Sequence, residues 1–158
     1  MFTRNAFQMG YEHFLSPTTG LDFNAGMNYQ DNESEQNWGI TTEAQFKFYV
    51  FTQISPKKSH RLYFAPYFVN NYEEEKSYQW ISLGYNAWID DTFDAIGTGM
   101  LFGWSFSFAN RINLDIYTGG GIRKAFNVNP NSNYSSSIYD YRYSGIAPRL
   151  GIDVGFWF

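Results

Sequence analysis

Residues Tyr143 to Phe158 alternate with a period of two, and no other feature restricts the fold as tightly. Ile146, Pro148, Leu150, Ile152, Val154, Phe156 and Phe158 fall on one face. Ala147, Arg149, Gly151, Asp153, Gly155 and Trp157 fall on the other. Successive side chains point to opposite sides of a strand, so one face is continuously apolar and the other is polar or tiny. The same rule runs back through the chain. Residues 3–15 set Phe7, Met9, Tyr11 and Leu15 against Arg4, Gln8, Gly10 and Glu12. Residues 20–29 set Leu21, Phe23, Ala25, Met27 and Tyr29 against Asp22, Asn24 and Gly26. Further strands are expected at about 38–51, 60–71, 95–108 and 111–126.

The breaks between these runs carry turn chemistry. Ser16-Pro17-Thr18-Thr19, Ser55-Pro56-Lys57-Lys58 and Phe108-Ala109-Asn110-Arg111 are short turns. Asp31 to Gln36 is a polar acidic link, and the Asn-, Ser- and Tyr-rich residues 127–141 predict a long exposed loop. Pro66 and Pro148 interrupt strand patterns and are expected at bulges or near a rim. Residues 72–94 are ambiguous. Glu73-Glu74-Glu75-Lys76 and Asp90-Asp91 read as solvated loop, while 78–89 alternate like a strand or a hairpin extension.

Composition narrows the class. The 158 residues suit one domain spanning 1–158, with 15 acids against 11 bases and hence no basic footprint for nucleic acid. Cysteine is absent, which excludes disulfide frameworks and thiolate metal sites. Aromatic residues make up 22% of the chain, yet no apolar run reaches the ~18 residues that a membrane helix needs. Many aromatics and glycines without a hydrophobic block is the composition of a transmembrane β-barrel. A soluble barrel with its apolar face inward shows the same alternation, and three features argue against it here. The polar face is rich in glycine, as a narrow lumen requires; the apolar face is built from large aromatics; and the final residue is aromatic and closes an apolar stripe. Met1-Phe2-Thr3-Arg4 leads straight into a strand pattern, so an export signal is expected to have been removed or to lie upstream.

The expected architecture is therefore all-β, an antiparallel up-and-down transmembrane barrel. Short turns on one side and longer acidic links on the other match the outer-membrane habit. Seven strands are clear, whereas single-chain bacterial barrels usually have an even number. The eighth is either residues 78–89 or a strand preceding Met1, and the second option preserves the turn asymmetry.

Arg149-x-Gly151-x-x-Val154-x-Phe156, followed by Phe158, resembles the signal that the barrel-assembly machinery reads in outer-membrane proteins. Gly10-Tyr11-Glu12-His13, Tyr63-Phe64-Ala65-Pro66-Tyr67, Gly97-Thr98-Gly99-Met100-Leu101-Phe102-Gly103-Trp104 and Pro148-Arg149-Leu150-Gly151 resemble the small outer-membrane barrels of OmpX-like size. That resemblance implies an eight-stranded barrel in the bacterial outer membrane, without implying an activity. It departs at the amino end, where the family begins with one more strand. The partners it implies are outer-membrane lipid, lipopolysaccharide, the assembly machinery and, in a larger assembly, other outer-membrane proteins.

The lumen face collects Glu12, Asp22, Glu43, Asp115 and Asp153 with Arg4, Lys47, Arg61, Arg111, Arg123 and Arg149. Buried charges must find partners, so these predict a charge-paired plug; the sharper alternative is a narrow channel for ions or small solutes. Glu12 and His13 are adjacent and hence on opposite faces, which leaves a lipid-modifying enzyme without converging Ser, His and acid groups. The acidic links (Asp31, Glu33, Glu35; Glu73–Glu75; Asp90, Asp91, Asp94) read as solvated loop, with divalent-cation binding as the alternative. Tyr134, Tyr139, Tyr141 and Tyr143, and the pair Trp80 and Trp88, form either an interfacial girdle or a contact surface. No cofactor, resident metal or catalytic residue is expected. The expected role is non-enzymatic: envelope structure, surface interaction or membership of a larger outer-membrane assembly.

Overall fold

The computed structural model describes residues 5–31, 35–55, 58–81, 85–108, 112–126 and 144–156. They form seven strands: β1 (Asn5–Ser16), β2 (Thr19–Asp31), β3 (Glu35–Ser55), β4 (Lys58–Ile81), β5 (Tyr85–Phe108), β6 (Ile112–Phe126) and β7 (Gly145–Phe156). They lie in one sheet in the order of the sequence, and each strand is antiparallel to its neighbours. Six antiparallel steps separate β1 from β7, so these two strands run in the same direction.

The period-two pattern sets the two faces. On β3, Asn37, Glu43, Gln45, Lys47 and Tyr49 are buried, while Trp38, Ile40 and Val50 are exposed. On β4, Tyr63, Ala65 and Tyr67 are buried between exposed Leu62 and Phe68, and Asn71 is buried beyond them. The sheet curls around the first of these faces. Its densest packing joins Tyr49, Tyr63, Ala65, Tyr67 and Leu101, with Phe14, Val69 and Tyr117 against them.

Glycine makes that packing possible on the strands facing the tyrosines. A Cβ on Gly103 would lie 2.3 Å from Tyr63 Oη, and one on Gly151 would lie 2.3 Å from Tyr117 Oη. Each ring lies flat across its cross-strand partner, Tyr63 on Gly103 and Tyr117 on Gly151, so the narrow interior is filled without widening it.

The Ser16–Thr19 turn forms as its residues suggest. Thr18 N donates to Ser16 Oγ at 3.1 Å, and the Ser16 and Thr19 hydroxyls are 2.8 Å apart. Tyr49 N also donates to Thr18 O at 2.8 Å, which fastens the turn to β3.

Two expectations about local structure are corrected, and one pair of alternatives is decided. Glu73, Glu74, Glu75 and Lys76 are not loop but part of β4, and Asp90 and Asp91 belong to β5. A run of charges carries a loop signal, but here the ladder continues through it, with Glu73 opposite Phe93 and Lys76 opposite Asp90. Residues 78–81 and 85–89 accordingly belong to the outer end of the β4–β5 hairpin, which is the hairpin-extension alternative, and they do not form a separate strand. The prolines do not sit at bulges. Pro66 pairs with Met100 in unbroken register, and Pro148 pairs with Gly120 on β7. Register shifts occur instead between Tyr49 and Phe51 and between Phe14 and Ser16. The loop expected at 127–141 lies outside the described residues.

Strand lengths differ systematically. β1, β2 and β7 have 12, 13 and 12 residues, while β3, β4 and β5 have 21, 24 and 24. Among the described residues β6 reaches Phe126, opposite Asp94, while β5 begins at Tyr85. Because β3 stays paired with β4 as far as Ser77, opposite Ile89, only 78–81 and 85–88 project past both described neighbours, about 13 Å at ~3.3 Å per residue.

Candidate functional site

The enclosed face holds an ion cluster centred on Lys47, whose ammonium comes from the middle of the sheet on β3. It lies 2.8 Å from Asp22 Oδ2 on β2, 3.3 Å from Glu12 Oε2 on β1 and 3.1 Å from Asp115 Oδ2 on β6. One cation therefore ties together four strands. Tyrosines complete the shell. Tyr63 Oη donates to Asp115 Oδ1 at 2.9 Å, and Tyr49 Oη donates to Glu12 Oε1. The Tyr63 ring also lies under the ammonium, 5.0 Å from its centroid. Desolvating a lysine is costly, and three carboxylates plus a ring face supply what water would otherwise provide.

A second centre lies nearer the opposite end of the interior. Arg149 Nη2 on β7 meets Glu43 Oε2 on β3 at 2.7 Å, and its guanidinium lies 4.6 Å from the Tyr67 ring centroid. Gln45 Nε2 donates to the other carboxylate oxygen of Glu43 at 2.7 Å. Contact between β3 and β7 side chains requires the sheet to be strongly curled. Above this level, Asn28 Nδ2 donates to Glu73 Oε1 at 3.5 Å, and Thr41 Oγ1 donates to Asn71 Oδ1 at 2.8 Å.

The expected charge network is therefore brought together in part. Glu12, Asp22, Lys47 and Asp115 form one cluster, and Glu43 with Arg149 forms another. Arg61 lies on the same face but stacks on rings, 4.5 Å from Phe14 and 5.4 Å from Tyr49. Arg123 is half-buried on the enclosed face of β6. Asp153 stands opposite Asp115 in register and is exposed. Arg4 and Arg111 lie outside the described residues.

In the expected assembly signal, Arg149 is committed to Glu43, Gly151 lies beneath Tyr117, and Val154 is exposed on the outward face. Phe156 pairs with Ile112 in register, and Phe158 lies outside the described residues.

Other candidates are separated. Glu12 faces the interior, whereas His13 is outward, stacked on Tyr11 with ring centroids 6.4 Å apart. His60 packs edge-on against Phe106 at 5.3 Å. Among the expected acidic links, Glu73 is buried and Glu74 Oε2 accepts from Trp38 Nε1 at 2.9 Å. The sequence reading overlooked Glu73, Leu101 and Phe14 as interior residues. Counting in twos from Asn71, Gly99 and Glu12 would have placed all three inside.

The outward face has the opposite character. Phe48 stacks on Phe64 at 4.8 Å and Trp104 on Phe106 at 4.6 Å, forming an aromatic ridge over β3, β4 and β5. Over β6 and β7 most of the large exposed apolar residues are aliphatic, among them Ile116, Ile122, Ile146, Leu150 and Ile152. A groove of about 560 Å³ on the outward side runs past Met9, Tyr11, Phe23, Ala25 and Ala44. Comparison of the chain with protein families, curated proteins and solved structures finds no match to any of them.

Proposed function

We propose that this chain is a small, closed, non-enzymatic β-barrel of the bacterial outer membrane, with a plugged, charge-paired lumen and a role in envelope structure or surface interaction. The observation that carries this reading is inverted polarity. Lys47 and Glu73 are 3% and 1% exposed, whereas Ile146 and Met9 are 72% and 67% exposed. A water-soluble protein built this way would leave its largest apolar surface wet and bury its charges, which reverses both halves of the usual rule. In hydrocarbon the same arrangement is favourable.

Strand length supports the reading. β1, β2 and β7 are near the ~9–11 residues that cross a bilayer at a tilt. The longer β3, β4 and β5 extend past it, and the β4–β5 hairpin provides a surface element for contact with a partner or with lipopolysaccharide. The interior argues for a plug instead of a pore. Tyr49, Tyr63, Tyr67 and Leu101 are all buried within it, and an eight-stranded barrel is only wide enough for side chains to fill. Outer-membrane lipid is then the first partner, the barrel-assembly machinery acts during biogenesis, and a larger outer-membrane assembly is the natural setting for the projecting hairpin.

The test is extraction. The chain should stay with membranes until detergent is added, migrate as a compact species in unheated SDS, and give a flat trace in planar bilayers. A monomer that dissolves in plain buffer would overturn the membrane reading, and steady conductance would overturn the plug.

A further inference from the structure

On the outward face, one cross-strand row departs from the apolar pattern. It runs from Met9 on β1 through Ala25, Thr42, Asn70 and Ile96 to Lys124 on β6, each residue opposite the next in register. Ala25, Thr42 and, two residues further along β3, Ala44 form the floor of the groove of about 560 Å³, with Tyr11, Phe23 and Phe68 standing beside it. Phe68 also borders a smaller hollow of about 160 Å³ that continues past Ile96 to Lys124. Two polar members of the row lack protein partners. Asn70 makes no side-chain hydrogen bond among the described residues. The Lys124 ammonium lies 5.3 Å from the Phe126 ring centroid and meets no carboxylate among them. Asp94, the nearest acid in register, stands diagonal to it across the β5–β6 pair. Other outward bases differ: Lys76 has Glu74 at 3.9 Å, and Lys58 lies at the short-turn end of β4. An unpaired cation and amide facing hydrocarbon are costly, which marks them as places for a ligand.

We infer that this row is a discrete site for one anionic lipid, with the headgroup phosphate on Lys124, the ester or amide linkage on Asn70, and an acyl chain in the groove over Ala44 and Ala25. The inference rests on the membrane reading above and adds a position and a ligand chemistry on the outward face. Depth orders the parts. Lys124 is nearly twice as far from Ile112, at the short-turn end of β6, as Met9 is from Ser16 or Ala25 from Thr19. With the short turns on one membrane surface, the row climbs from Met9 to Lys124. Just beyond it Trp38 packs on Tyr72 at 5.6 Å, and its indole donates to Glu74. Amphipathic rings of this kind sit at headgroup level. An amphiphile needs the same order, charge shallow and chain deep. Charge selects the ligand: a lysine without an internal acid calls for an anion, and its three donors suit phosphate oxygens. The groove has the volume of a small-ligand site, and its alanine floor between aromatic walls suits a flexible alkyl chain.

Native mass spectrometry of the detergent-extracted protein tests the site with dipalmitoyl phosphatidic acid, dipalmitoylglycerol and glycerol phosphate. The parent should retain one phosphatidic acid per chain and neither of the other two, which lack the phosphate and the chains respectively. Lys124→Gln should weaken that complex by about tenfold or more, the loss of one charge-assisted contact. Ala44→Phe fills the groove from outside the packed interior and should weaken it too. Ala25→Leu takes its place if that protein does not migrate as a compact species in unheated SDS. Lys58→Gln, and Leu150→Phe on the aliphatic side, should leave binding unchanged. Equal retention of dipalmitoylglycerol would remove the phosphate contact, and equal retention of glycerol phosphate would remove the groove; either overturns the inference. So does a loss at Lys58→Gln matching that at Lys124→Gln, which would reduce the effect to general attraction between an anion and a base. A dimer that excludes lipid would give the groove to a second copy and overturn it as well. All of these leave the membrane reading standing. A chain that stays dissolved without detergent and takes up no lipid would instead overturn the membrane reading, and the site with it.

Discussion

The two charged centres of the interior each set one cation among carboxylates and a tyrosine ring, and they solve different problems. Arg149 meets one carboxylate, Glu43, whose other oxygen is already held by Gln45. Lys47 meets three carboxylates and is itself nearly sealed from solvent. The first is a charge-balanced pair to which a planar guanidinium adds a stack on Tyr67. The second is a crowd of acids that a compact, multi-donor ammonium keeps together. Removing the cation from each centre should therefore have unequal consequences, and the inequality is what the comparison teaches.

Lys47→Met gives the largest expected effect. Methionine fills similar space but leaves Glu12, Asp22 and Asp115 facing one another without their common cation. Breaking a single buried pair costs about 3–5 kcal/mol, and here three lose their partner together, so failure to fold into a compact form is the expected result. Unheated SDS electrophoresis and detergent-micelle unfolding would read it. A companion triple change, Lys47→Met with Asp22→Asn and Asp115→Asn, should restore much of the loss because the repulsion goes with the cation. If Lys47→Met alone folds as well as the parent, the cluster is not what holds β1, β2, β3 and β6 together.

Arg149→Met should cost less, on the order of 2 kcal/mol, because Gln45 still donates to Glu43 and the arginine side chain keeps partial access to solvent. Lys in place of Arg should recover the charge but not the stack, leaving an intermediate loss. Midpoints of urea unfolding in micelles would rank the three proteins. A loss at Arg149 equal to that at Lys47 would erase the proposed difference between the centres.

Much of this arrangement was legible in the sequence, because parity is a local property. Alternation put Lys47, Glu43, Asp115 and Arg149 on one face and Ile152, Phe102 and Phe23 on the other before any pairing was known. Strand ends were harder to read. Glu73 to Lys76 carries the charge density of a loop, and only the ladder opposite Asp90 to Phe93 shows that β4 runs through it. Partner choice was not legible at all. Lys47 and Asp115 are 68 residues apart, and their contact depends on how far each of three hairpins is staggered and how tightly the sheet curls. Period-two reading gives the side of a ribbon but not its curvature. The sequence shows the glycines as the small residues a narrow lumen needs; their specific use, beneath Tyr63 and Tyr117, emerges only with the cross-strand register.

The smallest of the expected effects is also the most specific to the Lys47 centre. Tyr63→Phe removes the hydroxyl that donates to Asp115 at 2.9 Å while leaving the ring over Gly103 and under the ammonium. Asp115 keeps Lys47 as a partner, so the loss is that of one hydrogen bond to a charged group, about 1.5–3 kcal/mol. Placed on top of Asp115→Asn, the same change should cost distinctly less, because the acceptor is then neutral. The coupling from this double-mutant cycle measures how far tyrosine, and not lysine alone, holds the acid in place. Zero coupling would leave the tyrosine as packing only, and the Lys47 centre would then be set apart by its number of carboxylates, three against one.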